Sequence, residues 1–146
     1  MKLHSGTIVL VADGSKMLLL RNNGDANFPE LQVIAHREIV NPPSHDQMSD
    51  APGVTFSSHT RRSAYPARDL HQEAEDHFAA EVAAELGKHV AEEEGEVVVV
   101  APPHVLSVLR HHYEPAVKAR LVAEIDKDLT KHPVSEISRL IGHYQA

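Results

Sequence analysis

The chain has 146 residues, a formal charge of −7 with its 12 histidines counted as neutral, and no cysteine. That length suits one domain burying about two thirds of its unfolded surface; disulfides, thiolate metal sites and cysteine nucleophiles are excluded, and nucleic acid could be met only through a local basic patch. Met1-Lys2-Leu3-His4-Ser5-Gly6 lacks the apolar core of a signal peptide and no run of about 18 apolar residues exists, so the expectation is a soluble, cytoplasmic protein without membrane contact.

Thr7-Ile8-Val9-Leu10-Val11-Ala12 is a β-branched apolar run closed by Asp13-Gly14, a hairpin signal. Met17-Leu18-Leu19-Leu20 reads as the return strand and Asn22-Asn23-Gly24-Asp25 as the next turn. Leu31, Val33 and Ala35 alternate with Gln32, Ile34 and His36, predicting a third strand that ends near Val40. Three strands joined by short turns make an antiparallel meander.

Residues 41–68 follow with no period, ending in His59, Arg61, Arg62, Tyr65 and Arg68. Structureless stretches longer than about 12–15 residues are uncommon inside compact domains, and are usually functional or disordered. Leu70, Ala74, Phe78, Val82 and Leu86 then recur every four residues, which predicts an amphipathic helix from about Asp69, its candidate cap, to Val90. Gly87 weakens its last turns. The other face carries Glu73, Glu75, Asp76, Glu81 and Glu85.

Val97-Val98-Val99-Val100 has the pattern of a strand covered on both faces. Pro102 and Pro103 open a helix containing Val105, Leu106, Leu109 and Tyr113. Leu121, Ala123 and Ile125 alternate into a fifth strand ending near Asp128, and Pro133 starts a final helix with Ile137, Leu140, Ile141 and Tyr144 on one face. The order predicts an α/β fold: a ribonuclease H-like mixed five-stranded sheet, a β-meander followed by α-β-α-β-α, with helices on its faces.

Three kinds of chemistry can be weighed against this order. Two-metal hydrolysis needs converging carboxylates, but the fourth strand runs into Ala101-Pro102-Pro103 without an acid, and Asp13 sits in a turn. Histidine and carboxylate meet at helical spacing in His71/Glu75 and Glu73/His77, yet no His-Glu-x-x-His motif supplies a metal site. No Gly-x-Ser-x-Gly elbow or phosphate loop occurs. Positive charge is the stronger signal: Arg61, Arg62 and Arg68, then Arg110, His111, His112, Lys118 and Arg120. Arginine suits bidentate phosphate contact, and the alternative is pairing with the protein's own carboxylates. Tyr65 is the one aromatic among them, so base stacking has little support there.

Val9-Leu10-Val11-Ala12-Asp13-Gly14, Phe78-Ala79 with Val82-Ala83 and Leu86, Val98-Val99-Val100-Ala101-Pro102-Pro103, Leu106-Ser107-Val108-Leu109-Arg110 and Lys127-Asp128-Leu129-Thr130-Lys131-His132-Pro133 span nearly the whole chain. Together they resemble the bacterial family named for attachment to host cells. That family is similar to the middle domain of eukaryotic and archaeal class 1 peptide-release factors and of Pelota. In release factors the loop entering the long helix carries Gly-Gly-Gln; here the matching stretch is Ser58-His59-Thr60-Arg61-Arg62-Ser63-Ala64-Tyr65. The resemblance implies a ribosome- or RNA-contacting domain without peptide-release activity, and marks Asp13, Gly14, Asp128 and Thr130 as family-motif residues.

The expectation is a non-enzymatic protein that meets the ribosome or RNA through His59, Arg61, Arg62, Tyr65, Arg68 and Arg110. No cofactor or metal is called for. One alternative is a protein-interaction module in surface attachment or its regulation, with a protein partner. Another is a metal- or histidine-dependent hydrolase using His59 or His71 with Asp69.

Overall fold

The structure is a computed structural model that describes residues 1–39 and 67–144. Strands β1 (Ile8–Ala12) and β4 (Val97–Ala101) are continuous apolar runs, and all five residues of each are buried. Such strands belong in the middle of a sheet covered on both faces. They lie side by side in parallel, with Leu10 opposite Val99. β2 (Lys16–Asn22) flanks β1 antiparallel, β3 (Leu31–Glu38) flanks β2 antiparallel, and β5 (Leu121–Asp126) flanks β4 in parallel. The sheet order is therefore β3-β2-β1-β4-β5, the expected ribonuclease H-like mixed sheet.

The two-residue period of β1 and β4 feeds two cores. Ile8, Leu10, Val97 and Val99 pack with Phe78, Val82 and Leu86 of α1 (Ala67–Glu92) and with Leu106 and Leu109 of α2 (Pro103–Arg110). Val9, Val11, Val98 and Val100 pack on the other face with Leu129 and with Ile137 and Ile141 of α4 (Val134–His143).

Several boundaries differ from the sequence expectation. A further helix, α3 (Pro115–Arg120), precedes β5; it has six residues and one buried side chain, Val117, too little for a helical period to register. α2 ends at Arg110, so Tyr113 lies beyond it. β5 stops at Asp126, two residues before Asp128. α1 is already helical at Ala67, so Asp69 falls in its first turn and is not its cap. The expected alternation of β3 is interrupted. Leu19 pairs with Ala35 and Leu20 with Val33, which leaves Ile34 as an extra residue in a bulge. Val33 and Ile34 are consequently 44% and 36% exposed.

The end of α1 is fastened by α3. The Arg120 guanidinium donates to the carbonyl of Glu93 at 2.5 Å and to that of Val90, satisfying two acceptors that a helix C-terminus leaves open. Gly87 faces the same junction, where a Cβ would meet the far end of the Glu114 side chain at the start of α3.

Candidate functional site

Asp13 follows β1, His104 lies in the first turn of α2 just after β4, and Asp128 and Thr130 follow β5. The topology thus collects these residues outside the carboxyl ends of three parallel strands, where open α/β sheets commonly place their sites. Asp13 Oδ1 accepts the amides of Ser15 at 2.8 Å and Lys16 at 2.7 Å, which closes the β1–β2 turn. Its Oδ2 accepts the Thr130 hydroxyl at 2.8 Å. Asp128 Oδ1 lies 2.8 Å from the same hydroxyl and accepts the Thr130 amide at 3.2 Å. Thr130 itself is buried, 1% exposed. Asp13 and Thr130 therefore meet across 117 residues of sequence.

Gly14 does not use a left-handed backbone; among the described residues the glycine with positive φ is Gly6. A Cβ at Gly14 would stand 2.8 Å from Glu75 Oε2, so the end of that side chain would have to move. Glu75 Oε2 in turn pairs with His71 Nε2 at 2.8 Å. Beside this pair, Asp76 Oδ1 accepts Gln72 Nε2 at 3.0 Å and lies 2.9 Å from His104 Nε2. The hydrogen bond from His104 holds the Asp76 carboxyl below its usual range, against a smaller opposing effect of burial. The edge is thus rich in carboxylates that already have partners. Among the described residues, no three His, Asp or Glu side chains are grouped to hold a metal ion.

Arg110 lies away from this edge. Its Nε donates to Glu124 Oε1 at 2.9 Å, while the Tyr113 hydroxyl donates to Glu124 Oε2 at 2.8 Å. The Glu124 carboxylate raises the Arg110 pKa further above its ordinary value. Burial first, and Glu124 second, push the Tyr113 hydroxyl well above the usual phenol range. With Arg120 on the end of α1, both arginines of the second basic run engage the protein itself. His59, Arg61, Arg62 and Tyr65 lie outside the described residues, and Arg68 is placed only as backbone in the first turn of α1. The ends that bracket residues 40–66 are described: Ile39 donates its amide to Ser15 O at 2.8 Å, beside the Asp13 turn, and α1 brings Glu75 over Gly14 at that same turn.

Sequence reasoning found Asp13, Gly14, Asp128, Thr130 and the His71/Glu75 pair. It did not give the contacts of Asp76 with His104 or of Glu124 with Arg110 and Tyr113. His104 stands 28 residues from Asp76, and no local spacing signals a contact at that separation.

The fold is consistent with a release-factor-like domain: a ribonuclease H-like sheet whose long first helix begins at the carboxyl edge of the parallel strands. A model of bacterial archaeo-eukaryotic release factor family 12 matches residues 6–141, and the chain belongs to that family. No curated protein matches the chain. No helix among the described residues is long and apolar enough to cross a membrane.

Proposed function

We propose that the protein is a non-enzymatic, ribosome- or RNA-associated member of its family, working in the cytoplasm, with Arg61, Arg62 and Arg68 engaging phosphates. The supporting observation is family membership over residues 6–141, joined to the sequence that leads into α1. Where the middle domain of a release factor presents Gly-Gly-Gln, this chain has Ser58-His59-Thr60-Arg61-Arg62. Arginine supplies phosphate affinity, but nothing there replaces the glutamine for peptide release.

The test is co-sedimentation of the full chain with ribosomes from a native lysate. Association is expected at low salt, falling steeply toward moderate salt as released counterions lose their advantage. Arg61→Ala with Arg62→Ala should abolish most of it. No association at low salt, or none of it lost in the double variant, overturns the reading.

A second reading is a protein-interaction module of the kind the attachment name implies. Its support is β3, an edge strand that exposes Val33 and Ile34. Lysate capture that is insensitive to salt, retained in the arginine variant and lost on Ile34→Lys would favour it.

A further inference from the structure

The lining of one groove carries Lys2, Arg139 and His143 and no carboxylate, on a chain whose net charge is −7. This groove of about 400 Å³ runs between the N-terminal arm, the β2–β3 turn and α4, with Asn27, Ser135 and Ser138 also in its lining. A continuation of about 320 Å³ shares Ser135 and Ser138 and leads to Glu30. Its walls are pinned from beneath by Asn22, which is 0% exposed. Asn22 Nδ2 donates to Leu3 O at 2.8 Å, and its Oδ1 accepts the amides of Gly24 at 2.9 Å and Glu30 at 2.8 Å. One buried amide therefore ties the arm to both ends of the turn, two of the groove's three walls.

The tip of that turn is fixed as well. Asp25 Oδ1 accepts the amides of Asn27 at 2.9 Å and Phe28 at 2.7 Å. The result is an aromatic ring held out into water, 80% exposed, between two groove-lining residues, Asn27 and Pro29. The cations of the groove are loosely engaged. Arg139 is 58% exposed and 3.6 Å from Glu136, and Lys2 Nζ reaches Asn27 Oδ1 only at 3.4 Å.

We propose that this groove binds single-stranded RNA, with Phe28 stacked on a base and Lys2, Arg139 and His143 facing phosphates. This rests on the RNA-associated reading and extends it to a folded surface separate from Arg61 and Arg62. Every base offers a π-face, so an exposed ring on a pinned turn whose neighbours Asn27 and Pro29 line a cation-bearing groove is a stacking platform tolerant of sequence. The hydroxyls of Ser135 and Ser138 and the Asn27 amide suit ribose and phosphate oxygens. A single strand fits better than a duplex, because the cations line one short groove on an acidic body. Glu30, in the continuation, opposes the backbone and should weaken binding.

The test is fluorescence anisotropy of a labelled polyuridine strand, about twelve nucleotides long, with the full chain at about 50 mM salt. Phe28→Ala should weaken binding roughly tenfold and Phe28→Tyr should restore it, because a ring of either kind stacks. Lys2→Ala with Arg139→Ala should weaken binding and reduce the salt slope by about 1.4, at about 0.7 per lost phosphate contact. Glu30→Gln should tighten it. No binding by the wild-type chain, or binding indifferent to both Phe28→Ala and the double cation variant, overturns the proposal. Equal affinity for polyglutamate overturns it in favour of a protein partner. Ribosome sedimentation of the same variants separates the two readings. Sedimentation lost only in the Arg61/Arg62 variant, with polyuridine binding blind to the groove variants, overturns the groove alone. Groove-dependent polyuridine binding by a chain that never sediments supports the groove and overturns the ribosomal assignment.

Discussion

The Thr130 hydroxyl has one proton and stands 2.8 Å from a carboxylate oxygen on each side, Asp13 Oδ2 and Asp128 Oδ1. Thr130→Val preserves shape but leaves both carboxylates without that donor in a half-buried place. The expected cost is about 1–3 kcal/mol in urea unfolding, largely restored by Thr130→Ser. A loss no greater than that of an ordinary surface substitution would mean that the clamp is only geometric. Tyr113 gives a pH signature. Its folded pKa lies above the ordinary value of 10.0, so the folded chain keeps a proton that the unfolded chain releases. Stability is therefore untouched below that pH and falls as pH rises past it. Tyr113→Phe should flatten this alkaline limb. Asp76 has the opposite sign: its pKa is lowered from 3.8, so its contribution is present above that pH and fades below it. Asp76 is half-exposed and screened, so Asp76→Asn should change acid stability by less than about 1 kcal/mol.

At the level of elements, α1 carries a residue unfavourable in a helix at its junction with α3. Glycine inside a helix costs about 1 kcal/mol relative to alanine. Gly87 faces the end of the Glu114 side chain, a flexible and exposed group that can swing into water. Gly87→Ala is therefore expected to raise the thermal midpoint slightly, by at most the equivalent of about 1 kcal/mol. A drop would show that Glu114 is held where it is. Elements with a strong period were legible in the sequence. The unbroken apolar runs of β1 and β4 and the four-residue spacing of Phe78, Val82 and Leu86 each specify one structure. α3 was not legible, because one buried residue in six makes no pattern. The bulge in β3 was not either, since Leu31, Val33 and Ala35 alternate correctly on paper and only pairing with β2 reveals the surplus residue.

At the scale of the molecule, β1 and β4 each belong to two cores, so neither face should melt without the other. Leu86→Ala beneath α1 and Ile137→Ala beneath α4 remove fully buried side chains on opposite faces of the sheet. Each should cost about 2–5 kcal/mol within a single cooperative transition, and the two should add because they share no partner. Two resolved transitions would contradict the shared sheet. The candidate site was only half legible at this scale. Asp13 and Thr130 stand out by the resemblance, whereas the groove beside the β2–β3 turn depends on Asn22, which in sequence is simply one of two turn asparagines. The surplus Ile34 has a further effect on how copies of the protein behave toward one another. A bare outer strand with aliphatic side chains in water is a natural seed for fibril growth, one chain docking on the next. The offset at Ile34 puts the two halves of that margin out of step, so an arriving strand can match one half but never both. Excising this single isoleucine should smooth the margin and raise the light scattering of concentrated solutions above that of the unaltered chain.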